Sequence, residues 1–114
     1  MSVDFAYIQS ITSGQNQAQL VDARPAQMHE SGCIPGSISC PMPNLLDQDG
    51  KLKPTADLKA ALTAAGVSTS GPVIFYCQGG VMCTVLHMVS IETGYNSNCK
   101  IYDGSYSEYS VKTK

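Results

Sequence analysis

The run Val73-Ile74-Phe75-Tyr76-Cys77-Gln78-Gly79-Gly80-Val81-Met82-Cys83 constrains this chain more than any other stretch. It starts just after Gly71-Pro72, and its first four residues are apolar, β-branched or aromatic at every position, which predicts a short buried strand over Val73–Tyr76. Met82–Glu92 predicts a helix, with Val85, Met88 and Val89 at three- and four-residue spacing and Gly94 as its stop. Cys77 therefore stands where a strand ends, heading a glycine-containing loop that feeds a helix N-terminus.

Consecutive backbone N–H groups in such a loop can turn inward and make a concave site for an anion. The anion available here is the Cys77 sulfur. Comparable settings bring a cysteine from about 8.5 down to roughly 3.5–7.5, which makes a thiolate nucleophile. Gly79 and Gly80 are expected to permit positive φ and close approach of the backbone to a ligand. A buried structural cysteine beside an ordinary turn is the plainer reading of the same run.

The remaining segments repeat the alternation of strand and helix. Residues 4–11 predict a helix with Phe5, Ile8 and Ile11 on one side, broken by residues 14–17. Residues 19–23 and 37–40 read as strands, Ile34-Pro35-Gly36 as a turn, and Pro41-Met42-Pro43 as extended chain. Thr55–Ala65 predicts a helix, with Asp57 in its first turn, a stripe of Leu58, Leu62 and Ala65, and Gly66 as its stop. Residues 100–102 predict another strand. Parallel strands joined by helical crossovers explain this order better than hairpins do, so the expected fold is α/β with a central, mainly parallel sheet flanked by helices. Ligands of open α/β sheets bind beyond the carboxyl ends of the strands, where Asp22-Ala23-Arg24, Cys77 and Asp103-Gly104-Ser105 are expected to converge.

A chain of 114 residues supports one compact domain, taken as residues 1–114. The formal charge is −2 with seven basic residues, so no basic stripe offers itself to nucleic acid. No apolar run reaches the roughly 20 residues of a membrane span, and the N-terminus lacks the pattern of a secretory signal. The five cysteines, at 33, 40, 77, 83 and 99, contain no C-x-x-C pair, which argues against a disulfide framework and a structural zinc site. A reducing compartment follows, cytoplasmic in the first instance with a mitochondrial location as the alternative. Cys40 and Cys99 are expected to be small core residues, and Cys33 a structural one.

Four segments, Leu20-Val21-Asp22-Ala23-Arg24, Gly32-Cys33-Ile34-Pro35-Gly36-Ser37, Cys77-Gln78-Gly79-Gly80-Val81-Met82 and Tyr102-Asp103-Gly104-Ser105-Tyr106-Ser107-Glu108-Tyr109, resemble in order the signatures of a rhodanese domain. The resemblance spans about residues 20–109 and is closest to the catalytic C-terminal halves of the tandem thiosulfate and 3-mercaptopyruvate sulfurtransferases. It implies a persulfide carried on Cys77 and stabilised by residues 78–82: Gln78, Gly79, Gly80, Val81 and Met82. It also implies a small sulfur donor, a thiol acceptor such as thioredoxin or glutathione, or cyanide, and neither metal nor organic cofactor. Arg24 matches the family arginine associated with the substrate carboxylate, while Met28 stands in place of that arginine's partner. Arg24 could equally pair with the neighbouring Asp22. His29 and His87 read as surface or edge residues, and Tyr106 and Tyr109 as packing residues where the family often has tryptophan.

The related phosphatase and arsenate reductase chemistry needs an arginine six residues after the cysteine, and Cys83 occupies that place. The loop carries no charge, unlike that of the thiosulfate enzymes, and Gly79 and Met82 remove the hydroxyls found in mercaptopyruvate enzymes. Two alternatives to catalysis stand beside the sulfurtransferase reading. One is a sulfur-carrier or protein-interaction module, the detached half of a tandem enzyme, whose site a partner domain or a second copy would cover. The other is a redox sensor in which Cys83 resolves an oxidised Cys77, although the Cys83 sulfur is expected to pack inward.

Overall fold

A computed structural model describes residues 2–79 and 82–113. Its strands are β1 (Ser2–Val3), β2 (Gln19–Asp22), β3 (Ile38–Ser39), β4 (Val73–Tyr76) and β5 (Cys99–Tyr102). Five α-helices separate and follow them: α1 (Phe5–Thr12), α2 (Ala26–Ser31), α3 (Thr55–Ala65), α4 (Met82–Glu92) and α5 (Ser105–Lys112), with a 3-10 helix at Met42–Leu45. The strands make one sheet in the order β1-β5-β4-β2-β3. Every pairing in it is parallel, with Val21 opposite Phe75 and Phe75 opposite Ile101. Parallel neighbours need long crossovers, which the helices provide. The α/β expectation therefore holds, and the chain's one antiparallel bridge among the described residues, between Leu46 and Leu52, lies outside the strands.

Strand β4 sits at the centre, and all four of its side chains are buried. Helices cover both faces of such a strand, which is why its sequence is continuously apolar instead of alternating. Successive side chains point to opposite faces. Val73, Phe75 and Cys77 join one core with Val21, Ala23, Leu58 and Leu62 of α3, and Cys83, Leu86 and Val89 of α4. Ile74 and Tyr76 join the other with Ile8 of α1, Leu20, Ile34 and Tyr102, against which Tyr106 and Tyr109 of α5 pack. The pleat thus aims the Cys77 side chain at the face covered by α3 and α4.

Local chemistry accounts for the helix ends. The Asp4 carboxylate caps α1 by accepting the Tyr7 N–H at 3.0 Å. At the end of α3, Gly66 takes φ +88 and donates its N–H to the carbonyls of Leu62 and Thr63, a left-handed stop that favours glycine. The limits of α3, β4 and α4 are those expected from sequence.

Three sequence expectations need correction. The buried face of α4 is formed by Cys83, Leu86, Val89 and Ser90, whereas Met88 is 45% exposed and Val85 only half-buried. The helix is apolar around much of its circumference, so spacing alone did not fix which stripe meets the sheet. Pro41-Met42-Pro43 is not wholly extended: Pro41 is extended, but Met42 begins the 3-10 helix. Pro43 fits its first turn because the missing N–H would have no helical partner there. Finally, β1, α2 and α5 had no predicted counterpart.

Candidate functional site

Because β2, β4 and β5 are parallel neighbours, the residues that follow them meet at one rim of the sheet. Cys77 follows β4 directly, Arg24 lies two residues beyond β2, and Ser105 three beyond β5. Backbone bonds tie these segments together. Ala23 N–H donates to the Tyr76 carbonyl at 2.7 Å, Tyr106 N–H to that of Cys77 at 2.9 Å, and Ser107 N–H to that of Gln78 at 3.1 Å. The N-terminus of α5 thus fastens the start of the cysteine loop.

Ser105 is the residue that locks Cys77 in place. Its hydroxyl accepts the Cys77 N–H at 3.1 Å and donates to the Tyr102 carbonyl at 2.8 Å. Ser105 is fully buried and takes φ +55, an unfavourable conformation for a residue with a side chain. Ser105→Ala should leave the buried Cys77 N–H without that acceptor. The expected loss is about 1–3 kcal/mol of stability, read as a lower urea midpoint at unchanged slope. An unchanged midpoint would mean that this bond contributes nothing to the site.

Cys77 is 2% exposed, and its sulfur lies 3.6 Å from the sulfur of the fully buried Cys83. Cys83 thus packs inward, as expected, yet does so directly against Cys77. The hydrogen bond to Cys77, together with burial, pushes the Cys83 thiol far above its ordinary range. Cys83 therefore resists losing its proton. Cys40 and Cys99 are buried core residues, as expected, and burial alone raises Cys40 to about 11.

Arg24 is only 2% exposed, and its guanidinium is largely occupied. Nε and Nη2 donate to the fully buried Asp22 carboxylate, Nη2 at 2.7 Å, and Nη2 also donates to the Gly32 carbonyl at 2.6 Å. Nη1 reaches Gln78 Oε1 at 3.3 Å, and the Tyr106 ring covers the guanidinium 4.2 Å from its centroid. Burial works against the charge, but the Asp22 hydrogen bonds and charge outweigh it and hold the group above its ordinary range. His29 lies in α2 with Nδ1 2.9 Å from Asp22 Oδ2, so it belongs to this network instead of a plain turn. Beside the network, Arg24, Met28, Glu30, Gly32 and Tyr106 line a cleft of about 650 Å³.

Sequence and structure agree with known proteins on what this scaffold is. Residues 7–112 match the rhodanese-like domain. The chain belongs to the rhodanese-like domain family. It is 34% identical over 113 residues to the 3-mercaptopyruvate sulfurtransferase of Escherichia coli (strain K12), covering 90% of this chain and 40% of that protein. The crystal structure of SseA from Escherichia coli, a 3-mercaptopyruvate enzyme, superposes with a TM-score of 0.77 at 33% identity over 93% of this chain and 42% of that one. A human single-domain sulfurtransferase shares the fold, with a TM-score of 0.72 at 24% identity over 97% of this chain and 96% of that one. This chain thus spans about 40% of the length of the curated relatives it first matches.

Of the residues singled out from sequence, the rhodanese-like domain brings Cys77, Gln78 and Arg24 together through the Gln78 to Arg24 contact. Gln78 and Gly79 are exposed, and Met82 packs against the α3/α4 core. Gly80 and Val81 lie outside the described residues. Gly79 does not take a positive φ, and a Cβ there would meet open space, so its backbone needs no glycine, contrary to expectation. Tyr106 is more than packing, since it shields Arg24. His87 is half-buried and its Nε2 lies 3.2 Å from the Cys99 carbonyl, away from the site.

Proposed function

We propose that this domain transfers sulfane sulfur through a persulfide on Cys77. The observation that carries the reading is the position of Cys77 at the carboxyl end of the central strand, its N–H held by Ser105 and its sulfur 3.6 Å from that of Cys83. With the two sulfurs 3.6 Å apart, a Cys83 thiol turned toward Cys77 would favour thiolate there, and the thiolate is the nucleophilic form. The Cys77 thiolate attacks the outer sulfur of a donor, thiosulfate leaving as sulfite or 3-mercaptopyruvate as pyruvate. The extra sulfur is then passed to a thiol, such as thioredoxin or glutathione, or to cyanide. Arg24 supports the site indirectly, orienting Gln78 at the loop. Donor-dependent thiocyanate or sulfide formation by the isolated chain tests this reading, and the absence of turnover with either donor and any acceptor would sink it.

Donor preference follows from charge. The one arginine near the loop is committed to Asp22, and the adjoining cleft presents Glu30 and Met28. Two negative charges are poorly served by such a site. At equal concentration, 3-mercaptopyruvate should support faster persulfide formation than thiosulfate. Tighter saturation by thiosulfate in a steady-state comparison would reverse this assignment.

A second reading is favoured by one observation, that Gln78 and Gly79 at the head of the loop are exposed. A domain whose site is normally completed by a partner domain or a second copy would accept sulfur but release it slowly. Persulfide formation without comparable steady-state turnover would select this carrier reading.

A further inference from the structure

Cys83 lies directly against Cys77. The sulfurs are 3.6 Å apart, near the roughly 3–3.5 Å of a near-attack contact. Both residues belong to the same core, Cys77 at the end of β4 and Cys83 in the first turn of α4. Closing a disulfide needs about 2.05 Å between the sulfurs, so the pair must approach by about 1.5 Å. Cys77 is almost wholly buried and Cys83 wholly so. Attack by Cys83 on the inner sulfur requires the added sulfur to extend away from Cys83, so that bond making and bond breaking lie in line.

We infer that Cys83 is an internal resolving thiol, which attacks the inner sulfur of a Cys77 persulfide and expels the outer sulfur as hydrosulfide. The step rests on the persulfide reading above. A bond forms between the Cys83 and Cys77 sulfurs while the bond from Cys77 to the outer sulfur breaks, its electron pair going to the outer sulfur. The Cys83 proton leaves on that atom as HS⁻. The sulfane sulfur is reduced to sulfide and the two cysteine sulfurs are oxidised to a disulfide, so the step balances without an external oxidant. A dithiol reductant then restores both thiols by exchange, which proceeds through a mixed disulfide.

The same geometry explains why Cys83 waits for the persulfide. Before sulfur is loaded, charge on Cys77 holds the Cys83 proton in place. In the persulfide that charge sits one bond further out, which weakens this hold and puts the proton acceptor on the departing atom. The domain would thereby release sulfide by itself, once per chain, and turn over only with a reductant able to open the disulfide.

The test is an anaerobic single turnover of the full chain with 3-mercaptopyruvate and no added thiol, quenched in acid and alkylated. Intact mass, peptide mapping and released sulfide are measured together. Wild-type chain should release about one equivalent of sulfide and finish two hydrogens lighter, with Cys77 linked to Cys83. Cys83→Ser, which keeps a hydrogen-bond donor, should instead remain one sulfur atom heavier and release sulfide only when a thiol is added. A wild-type chain that keeps its extra sulfur and releases none overturns the inference while leaving the persulfide intact. Sulfur uptake by neither wild type nor Cys83→Ser, with thiosulfate also tried, overturns both readings.

Discussion

Arg24→Ala should lower stability by about 3–5 kcal/mol, the usual result of removing one member of a buried ion pair, since only His29 and the residue-24 backbone N–H would still contact the Asp22 carboxylate. Asp22 is fully buried and its Oδ2 lies 2.7 Å from Arg24 Nη2. The Gly32 carbonyl loses a donor and the Tyr106 ring its cation in the same substitution. For a domain of this size, that loss lowers Tm by about 10–20 °C. Replacing both partners by apolar residues should recover part of it, because no uncompensated charge then remains. Thermal unfolding of the two single variants and the double variant measures the coupling. A wild-type Tm in Arg24→Ala, with a raised KM for 3-mercaptopyruvate, would identify Arg24 as a substrate anchor instead.

Cys77→Ser should abolish sulfur transfer, a loss of at least about 10³-fold in turnover, while changing Tm little. Serine nearly preserves the volume of the buried side chain, but its oxygen is a far weaker nucleophile at neutral pH and offers no sulfur to carry sulfane sulfur. The Ser105 hydroxyl contacts the Cys77 backbone N–H, so that anchor survives the substitution. Steady-state rates and thermal melts on the same preparation separate loss of chemistry from loss of fold. Residual transfer within tenfold of wild type would place the nucleophile elsewhere.

The centre of the fold was readable from sequence because it rests on strong local signals. Val73–Tyr76 is apolar without interruption, Thr55–Ala65 is rich in helix formers and ends at a glycine, and both elements have the expected limits. Cys77 was found because a strand, a glycine loop and a helix in succession leave little freedom for the residue between them. The edges were harder. Ser2–Val3 is a two-residue strand held by pairing to β5, and Ser105–Lys112 is a polar helix of serines and tyrosines that tertiary contacts hold in place. Neither carries a period that separates it from loop.

The details of the site were less legible for a related reason. Asp22 and Arg24 are two residues apart, so their pairing could be suspected, but whether the guanidinium faces substrate or core depends on Gly32, Gln78 and Tyr106 from three other segments. Ser105 could be placed at the rim, yet its bond to a backbone N–H 28 residues earlier is tertiary information. Cys83 was expected to pack inward and, in a separate reading, to meet Cys77. The structure satisfies both, because the inward direction at the start of α4 is the one that faces the end of β4.

The central claim is that Cys77 carries the transferred sulfur. The most direct measurement is intact and peptide mass of the Cys83→Ser chain after brief anaerobic exposure to 3-mercaptopyruvate, where release within the chain is blocked. One added sulfur atom, located on the peptide containing Cys77 and removed by cyanide, is the predicted result. Added sulfur on Cys33, Cys40 or Cys99 with Cys77 unmodified would contradict it.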